Sequence, residues 1–312
     1  MLRSVFIGAS SYGLPALDLL CKQGMQPQLV VSQPDKPAGR NLKTQPTPIS
    51  AYAMQHEIAL FTPQNINDSL SISFIAATAP DILITASYGG IIGKELRFLA
   101  PNKAINLHPS LLPRFRGASP IQSVLLTGES ITGTTIYRLI AALDAGPIIA
   151  QQSLEILPGE NYSSLHDRLA EQAATMLLSL MVNETGINAT ETQQEHEKAT
   201  CCPKIDSSLC MLSWQQPAYA VNNKIRAFSY NPGAWCYFRN GKLKILKAEA
   251  TDLLPEGQCG TIATIIKNTG WTVNCLDKQL LITEVQAEGK KIMDAAAFAN
   301  GARLSTGEKL WR

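Results

Sequence analysis

Over its first 180 residues the chain alternates short β-rich runs with longer helical ones, and this alternation leaves few architectures open. Ser4–Gly8, Leu29–Ser32, Ile82–Ala86, Ala104–Leu107, Thr134–Leu139 and Ile148–Gln152 read as strands. Leu14–Lys22, with Leu14, Leu17 and Leu20 on one side, reads as a helix, as do Asn67–Ala77, Pro120–Leu126 and the long run Ser163–Met181. Strands that alternate with helices predict a doubly wound α/β domain with a mostly parallel, Rossmann-like sheet. Ligands of such sheets sit beyond the carboxyl ends of the strands, so polar groups just after an apolar run deserve the closest reading.

The character of the chain changes after residue 183. Residues 184–200 are polar and nearly free of large apolar groups, which predicts a linker over 184–207 between a first domain (1–183) and a second domain (208–312). Beyond it, Lys242–Ala248, Gly260–Ile266, Trp271–Leu276 and Gln279–Val285 are short, closely spaced strand patterns, as in a small β-barrel. The net charge of +2 hides an asymmetry: residues 201–312 hold 14 Lys/Arg against 9 Asp/Glu, whereas residues 1–200 hold 13 against 16. A basic appendage on a mildly acidic body suggests a polyanionic partner. No run approaches the 18 apolar residues of a membrane span, so no membrane partner and a cytoplasmic location are expected. The seven cysteines are scattered and form no C-x-x-C pair, which favours reduced thiols over a metal site.

Asn106-Leu107-His108-Pro109-Ser110 lies where a strand gives way to a loop, and Asp144 follows in Leu143-Asp144-Ala145-Gly146-Pro147. The Asn-x-His spacing puts an amide and an imidazole on one face of an extended segment. An amide, an imidazole and a carboxylate can together hold an oxyanion and move a proton, the equipment of acyl transfer. Asp144 would act on His108 or on a water, and its charge is expected to raise the His108 pKa and favour a protonated ring. Phe115–Pro120 forms a basic turn into a helix, with Ser119 read as N-cap and Pro120 at the first helical position.

Other segments are less decisive. Gly8–Gly13 is neither G-x-G-x-x-G nor a Walker loop, which disfavours a nicotinamide oxidoreductase. Ser32–Pro48 reads as a long Pro-rich loop whose Lys36, Arg40 and Lys43 could straddle a phosphate backbone, or as a solvated excursion. Ile82–Gly93 runs from a strand into a Gly-rich turn whose backbone could meet the edge of a flat heterocycle, or simply turn the chain.

Together these residues resemble the folate-dependent formyltransferases, over almost the whole chain. The resemblance rests on Asn106–Gln122 with Leu143–Pro147. The segments Gln33–Arg40, Lys224–Trp235 and Thr283–Lys291 look like the tRNA-acting branch. It implies 10-formyltetrahydrofolate as co-substrate, no metal, and the α-amino group of initiator methionyl-tRNA as acceptor in translation initiation. It also implies that the barrel at 208–312 is an OB-like, tRNA-binding domain, and that Asn106, His108 and Asp144 are catalytic residues. Ser110, Leu111, Leu112 and Pro113, with Ser87, Tyr88, Gly89 and Ile91, would flank the folate. Lys36, Arg40 and Lys43 would meet the tRNA, and a monomer is expected. Transfer to a small amine, such as an amino sugar nucleotide or glycinamide ribonucleotide, and formylfolate hydrolysis remain alternatives. This chain departs from the family in the first turn, Ala9–Gly13, in Asn41 after Arg40, and in Thr134–Ile140, where a Met-rich strand is usual.

Overall fold

The computed structural model describes residues 2–38, 43–100, 103–182 and 190–311, with side chains at all of these except 36–38 and 43. By internal contacts the chain divides into two compact units that interleave in sequence. One comprises residues 1–117, 131–155 and 166–201, the other 118–130, 156–165 and 202–312.

The first unit is built on a seven-stranded sheet. In spatial order its strands are Ile148–Glu155, Ile131–Arg138, Ala104–His108, Ile82–Ala86, Ser4–Gly8, Leu29–Val31 and Leu60–Phe61. The last five run parallel to one another, whereas Ile131–Arg138 is antiparallel to both of its neighbours. The central strands bury both faces, with Val5, Phe6, Ile7, Ile82, Leu83 and Ile84 wholly inaccessible. That is why they read as continuous apolar runs rather than alternating ones. Helices Leu14–Lys22, Ser69–Ala76 and most of Tyr162–Val182 belong to this unit, close to the predicted bounds.

Two features depart from expectation. Helix Pro48–Gln55, which starts on the last proline of the Pro-rich stretch, was not expected. Thr47 caps it, its hydroxyl accepting from the Ser50 N–H at 3.0 Å, and Pro48 occupies the first turn. The segment expected as an irregular loop also contains a two-stranded antiparallel pairing of Lys36–Ala38 with Lys43–Gln45. Pro37 is tolerated there because a two-stranded ribbon has a free edge on each strand.

The second unit holds an antiparallel sheet in the order Ile262–Ile266, Gly270–Asn274, Gln279–Ala287, Gly241–Ala250, Ala234–Phe238, Leu310–Trp311, with Met293–Asp294 paired to Gln279–Ala287. Its two ends meet. Ile262 N–H donates to Glu308 O (2.8 Å), Leu310 N–H to Gly260 O (2.7 Å), and Thr261 bridges Lys309. The sheet therefore closes into a small barrel, as its strand spacing predicted, and closure removes the unpaired edges of an open sheet. Trp271, Val273, Leu280, Ile282, Leu243 and Ile245 fill it, with Val221 and Ile225 of helix Ala218–Ala227 and Ala295 and Ala299 of helix Ala295–Ala302 packed in the same core. Helix Pro120–Thr127 belongs to this unit. Leu126 packs against the barrel core, and Gly128, at φ +73°, ends the helix beside Asn223. Pro120 takes the predicted first-turn position and Ser119 the predicted N-cap position, its carbonyl accepting from the Ser123 N–H at 3.0 Å, but its side chain makes no capping bond. Its hydroxyl donates instead to Pro203 O at 2.6 Å.

Candidate active site

The parallel strands Ile82–Ala86 and Ala104–His108 end side by side, and the candidate catalytic groups gather at that end of the sheet. Asn106 and His108 stand two residues apart on one strand, so they share a face, as the spacing required. The Asn106 amide is oriented by its neighbour in the ladder. Thr85 Oγ donates to Asn106 Oδ1 at 2.7 Å, which leaves Nδ2 as the end that can donate to something else.

His108 is almost wholly buried, 4% exposed. Its Nε2 lies 3.0 Å from Phe115 O. A carbonyl oxygen only accepts, so Nε2 carries the proton, and in the neutral ring Nδ1 presents a lone pair. Nδ1 lies 3.8 Å from Asp144 Oδ2, too long for a hydrogen bond but close enough for strong coupling should the ring take a proton. Burial pushes the His108 pKa below its usual value. The Asp144 charge and the Phe115 carbonyl oppose that shift without overcoming it. The expectation of a ring held protonated by Asp144 is thus corrected: desolvation wins, and the resting imidazole is neutral.

Asp144 reaches the cluster from a tight loop in which its own backbone is left-handed, at φ 49°. Both carboxylate oxygens are anchored. Gly117 N–H donates to Oδ2 at 2.7 Å, and the Tyr137 hydroxyl donates to Oδ1 at 2.5 Å. Tyr137 lies opposite Asn106 in the ladder, and its ring stands edge-on to His108, 6.3 Å between centroids. Sequence reasoning missed Tyr137. The available signal was a hydroxyl-tipped aromatic in a β-rich run seven residues before Asp144.

It also missed what the linker does. The notional linker was placed at 184–207, of which 184–189 fall outside the described residues, but 190–202 is built into the site. Gln194 Nε2 donates to Asp144 O (2.9 Å) and Gly146 O (2.7 Å), while its Oε1 accepts from Arg116 (3.1 and 2.6 Å). Thr200 holds the other wall: its hydroxyl accepts from Phe115 N–H and its carbonyl from Arg116 N–H, each at 2.8 Å. Phe115, at φ 60°, is thereby kept where its own carbonyl can meet His108.

The remaining candidates are distributed unevenly. Ser110 is inaccessible, and its hydroxyl donates to Arg114 O at 2.8 Å. Leu112 is buried, its N–H donating to Thr135 Oγ (3.2 Å) and its carbonyl accepting from Gln151 (2.9 Å), with Leu111 and Pro113 half-buried beside it. Ser87, at φ 46°, and Gly89, at φ 79°, turn the chain after Ile82–Ala86. Tyr88 points into the core, whereas Ile91 is 83% exposed. Asn67 locks that turn, donating to Ile91 O (2.8 Å) and accepting from Gly93 N–H (2.6 Å). Arg40 lies outside the described residues. Lys36 and Lys43 lie on the small paired strands, their side chains outside the described set. Among the described residues no group of three or more His, Cys, Asp or Glu is placed to hold a metal ion, and no helix is long and apolar enough to cross a membrane.

A parallel-rich sheet carrying an amide, an imidazole and a carboxylate at its carboxyl end, followed by a small barrel, has a counterpart among known families. The family model described as formyl transferase matches residues 2–181, and that described as formyl transferase, C-terminal domain, matches residues 204–303. The chain belongs to the formyl transferase family. Within it, the chain is similar over its whole length to methionyl-tRNA formyltransferases. It is 36% identical to that of Thermotoga maritima, covering 100% of this chain and 99% of the relative, and 34% identical to that of Legionella pneumophila, covering 98% of each. Solved structures share the fold. A methionyl-tRNA formyltransferase from Clostridium thermocellum aligns with a TM-score of 0.56 at 15% identity, over 81% of this chain and 95% of that one. WlaRD, a sugar 3N-formyl transferase, aligns with a TM-score of 0.64 at 16% identity, over 93% and 99%.

Proposed function

We propose that this chain transfers the formyl group of 10-formyltetrahydrofolate to the α-amino group of initiator methionyl-tRNA, the step that prepares that tRNA for translation initiation. The observation that carries the chemistry is the buried His108 ring, held at Nε2 by the Phe115 carbonyl, with Nδ1 facing the Asp144 carboxylate beside the Asn106 amide. Asn106 Nδ2 donates to the formyl oxygen as the amine adds and that oxygen gains charge. His108 Nδ1 accepts the proton that the amine must lose. Asp144, 3.8 Å away, stabilises the imidazolium so formed, and the ring then returns the proton to the departing nitrogen. The folate supplies the formyl group, and its N10 takes that proton. The turn 87–93 fits such a donor. Ile91 offers an exposed apolar face, and space opens beside Gly89, where an added Cβ would meet nothing within 4 Å.

Single-turnover transfer tests the chemistry. Asn106→Ala and Asp144→Asn should each lose on the order of 10²–10³ in rate. Near-wild-type rates in both would remove the mechanism. Mass detection of formyl-Met-tRNA, run beside an amino sugar nucleotide as competing acceptor, decides between tRNA and a small amine.

The RNA half of the reading has separate support. On the barrel, Lys242 Nζ lies 4.2 Å from the Trp235 ring centre, and Lys244 pairs with Trp235 in the ladder. An aromatic face flanked by lysines suits a nucleic-acid strand. Replacing Lys242 and Lys244 by Ala should weaken tRNA binding and flatten the log–log salt dependence by roughly one unit per lost phosphate contact. We assign the transfer chemistry to the domain 1–183, braced by Gln194 and Thr200 of the segment that follows it, and this RNA surface to 208–312. We also propose that the chain is a monomer and that it works in the cytosol, the location being what its seven free thiols support.

A further inference from the structure

We propose that Tyr137 is the positioning residue of the transfer site, its hydroxyl fixing the Asp144 carboxylate against His108. The inference rests on the reading of Asn106, His108 and Asp144 given above and adds a residue to it. Tyr137 lies on the strand Ile131–Arg138, seven residues before Asp144. It is 2% exposed, so its hydroxyl was taken out of water and needs a partner inside. That partner is Asp144 Oδ1 at 2.5 Å, a short bond of the kind an ionised acceptor makes.

The geometry gives the bond a specific task. Asp144 has two anchors, the Gly117 N–H on Oδ2 and the Tyr137 hydroxyl on Oδ1. One anchor alone would let the carboxylate rotate about its own bonds. Two anchors on different oxygens fix its plane, and with it the approach of Oδ2 to His108 Nδ1. The ring carrying the hydroxyl packs edge-on to His108 and lies across the ladder from Asn106. A single side chain therefore touches or faces all three groups. Burial, then the Asp144 charge and hydrogen bond, hold the phenol well above its usual pKa, with Asn106 and Arg116 opposing. Tyr137 accordingly stays a donor across the working pH range and never competes with His108 for the amine proton.

A core aromatic that merely fills space would be replaced by Phe without consequence to turnover. The test measures kcat and both KM values in the full chain for Tyr137→Phe, Asp144→Asn and the double variant, with Met-tRNA and 10-formyltetrahydrofolate. Tyr137→Phe should lower kcat about tenfold and leave both KM values within about twofold. The double variant should be no slower than Asp144→Asn alone, because the hydroxyl acts only through that carboxylate. A strongly downfield proton resonance from the short bond should vanish in both single variants. If Phe at this position prevents folding, Tyr137→Met provides the second removal of the hydroxyl, with the same expected split. A kcat for Tyr137→Phe within twofold of wild type, or losses that add in the double variant, would overturn the inference. If Asp144→Asn itself kept full rate, the transfer mechanism would fall first; if it alone were slow, only the role of Tyr137 would fall.

Discussion

The protonation of one ring sets the pH behaviour of this site. His108 must be neutral to accept the amine proton, and burial holds its pKa below the ordinary value of about 6.5. Activity should therefore persist somewhat below that pH and fall on further acidification, as kcat/KM profiles from pH 5 to 8 would register. The stability linkage runs the same way. Above about pH 6.5 the ring is neutral both folded and unfolded; below it, the unfolded chain takes a proton that the folded chain resists, so stability drops as pH falls through the folded pKa. Urea midpoints of wild type and His108→Gln should diverge in that acid window and run parallel above it. Asn106 and His108 were legible in the sequence because two residues on one strand share a face whatever the tertiary fold. The protonation state was not. It depends on the Phe115 carbonyl and on burial, neither of which leaves a mark in residue identities. Tyr137 escaped for a related reason: in a β-rich run a tyrosine looks like packing until the register sets it opposite Asn106.

At the level of elements, the segment 190–202 works as a brace. A polar composition suggested a tether, but polarity here serves backbone groups: Gln194 satisfies two carbonyls of the Asp144 loop, and Thr200 satisfies two N–H groups beside Phe115. Composition cannot distinguish a side chain that faces water from one that replaces it. Gln194→Ala strips hydrogen bonds from a residue only 5% exposed and leaves carbonyls unpaired, a loss of about 1–3 kcal/mol. It should lower both thermal midpoint and kcat, whereas Gln193→Ala, at an exposed neighbour, should change neither. The central parallel strands were well read because they are buried and apolar throughout, whereas the short, half-buried edge strand Leu60–Phe61 was missed. Helix Ala218–Ala227 was passed over because its sequence mixes Asn, Lys and Arg among the residues that face the barrel core.

Across the whole molecule, sequence continuity and compactness part company. The composition break near 183 suggests two consecutive bodies, yet helix Pro120–Thr127 packs within the C-terminal unit, against helix Ala218–Ala227. No composition shift marks it, because an apolar helix looks alike whichever core it serves. A fragment of residues 1–183 should therefore expose the side of Pro120–Thr127 that bears Leu126, bind a hydrophobic dye and aggregate more readily than the full chain. A fragment that remained monomeric and dye-silent would contradict this packing. The same arrangement imposes a schedule on synthesis. About a hundred residues separate the two helices, so at roughly 5–20 residues per second the earlier one waits on the order of 5–20 s for its partner to be translated. During that interval the nascent chain carries an uncovered greasy ridge on the ribosome's surface, a natural landing place for a chaperone.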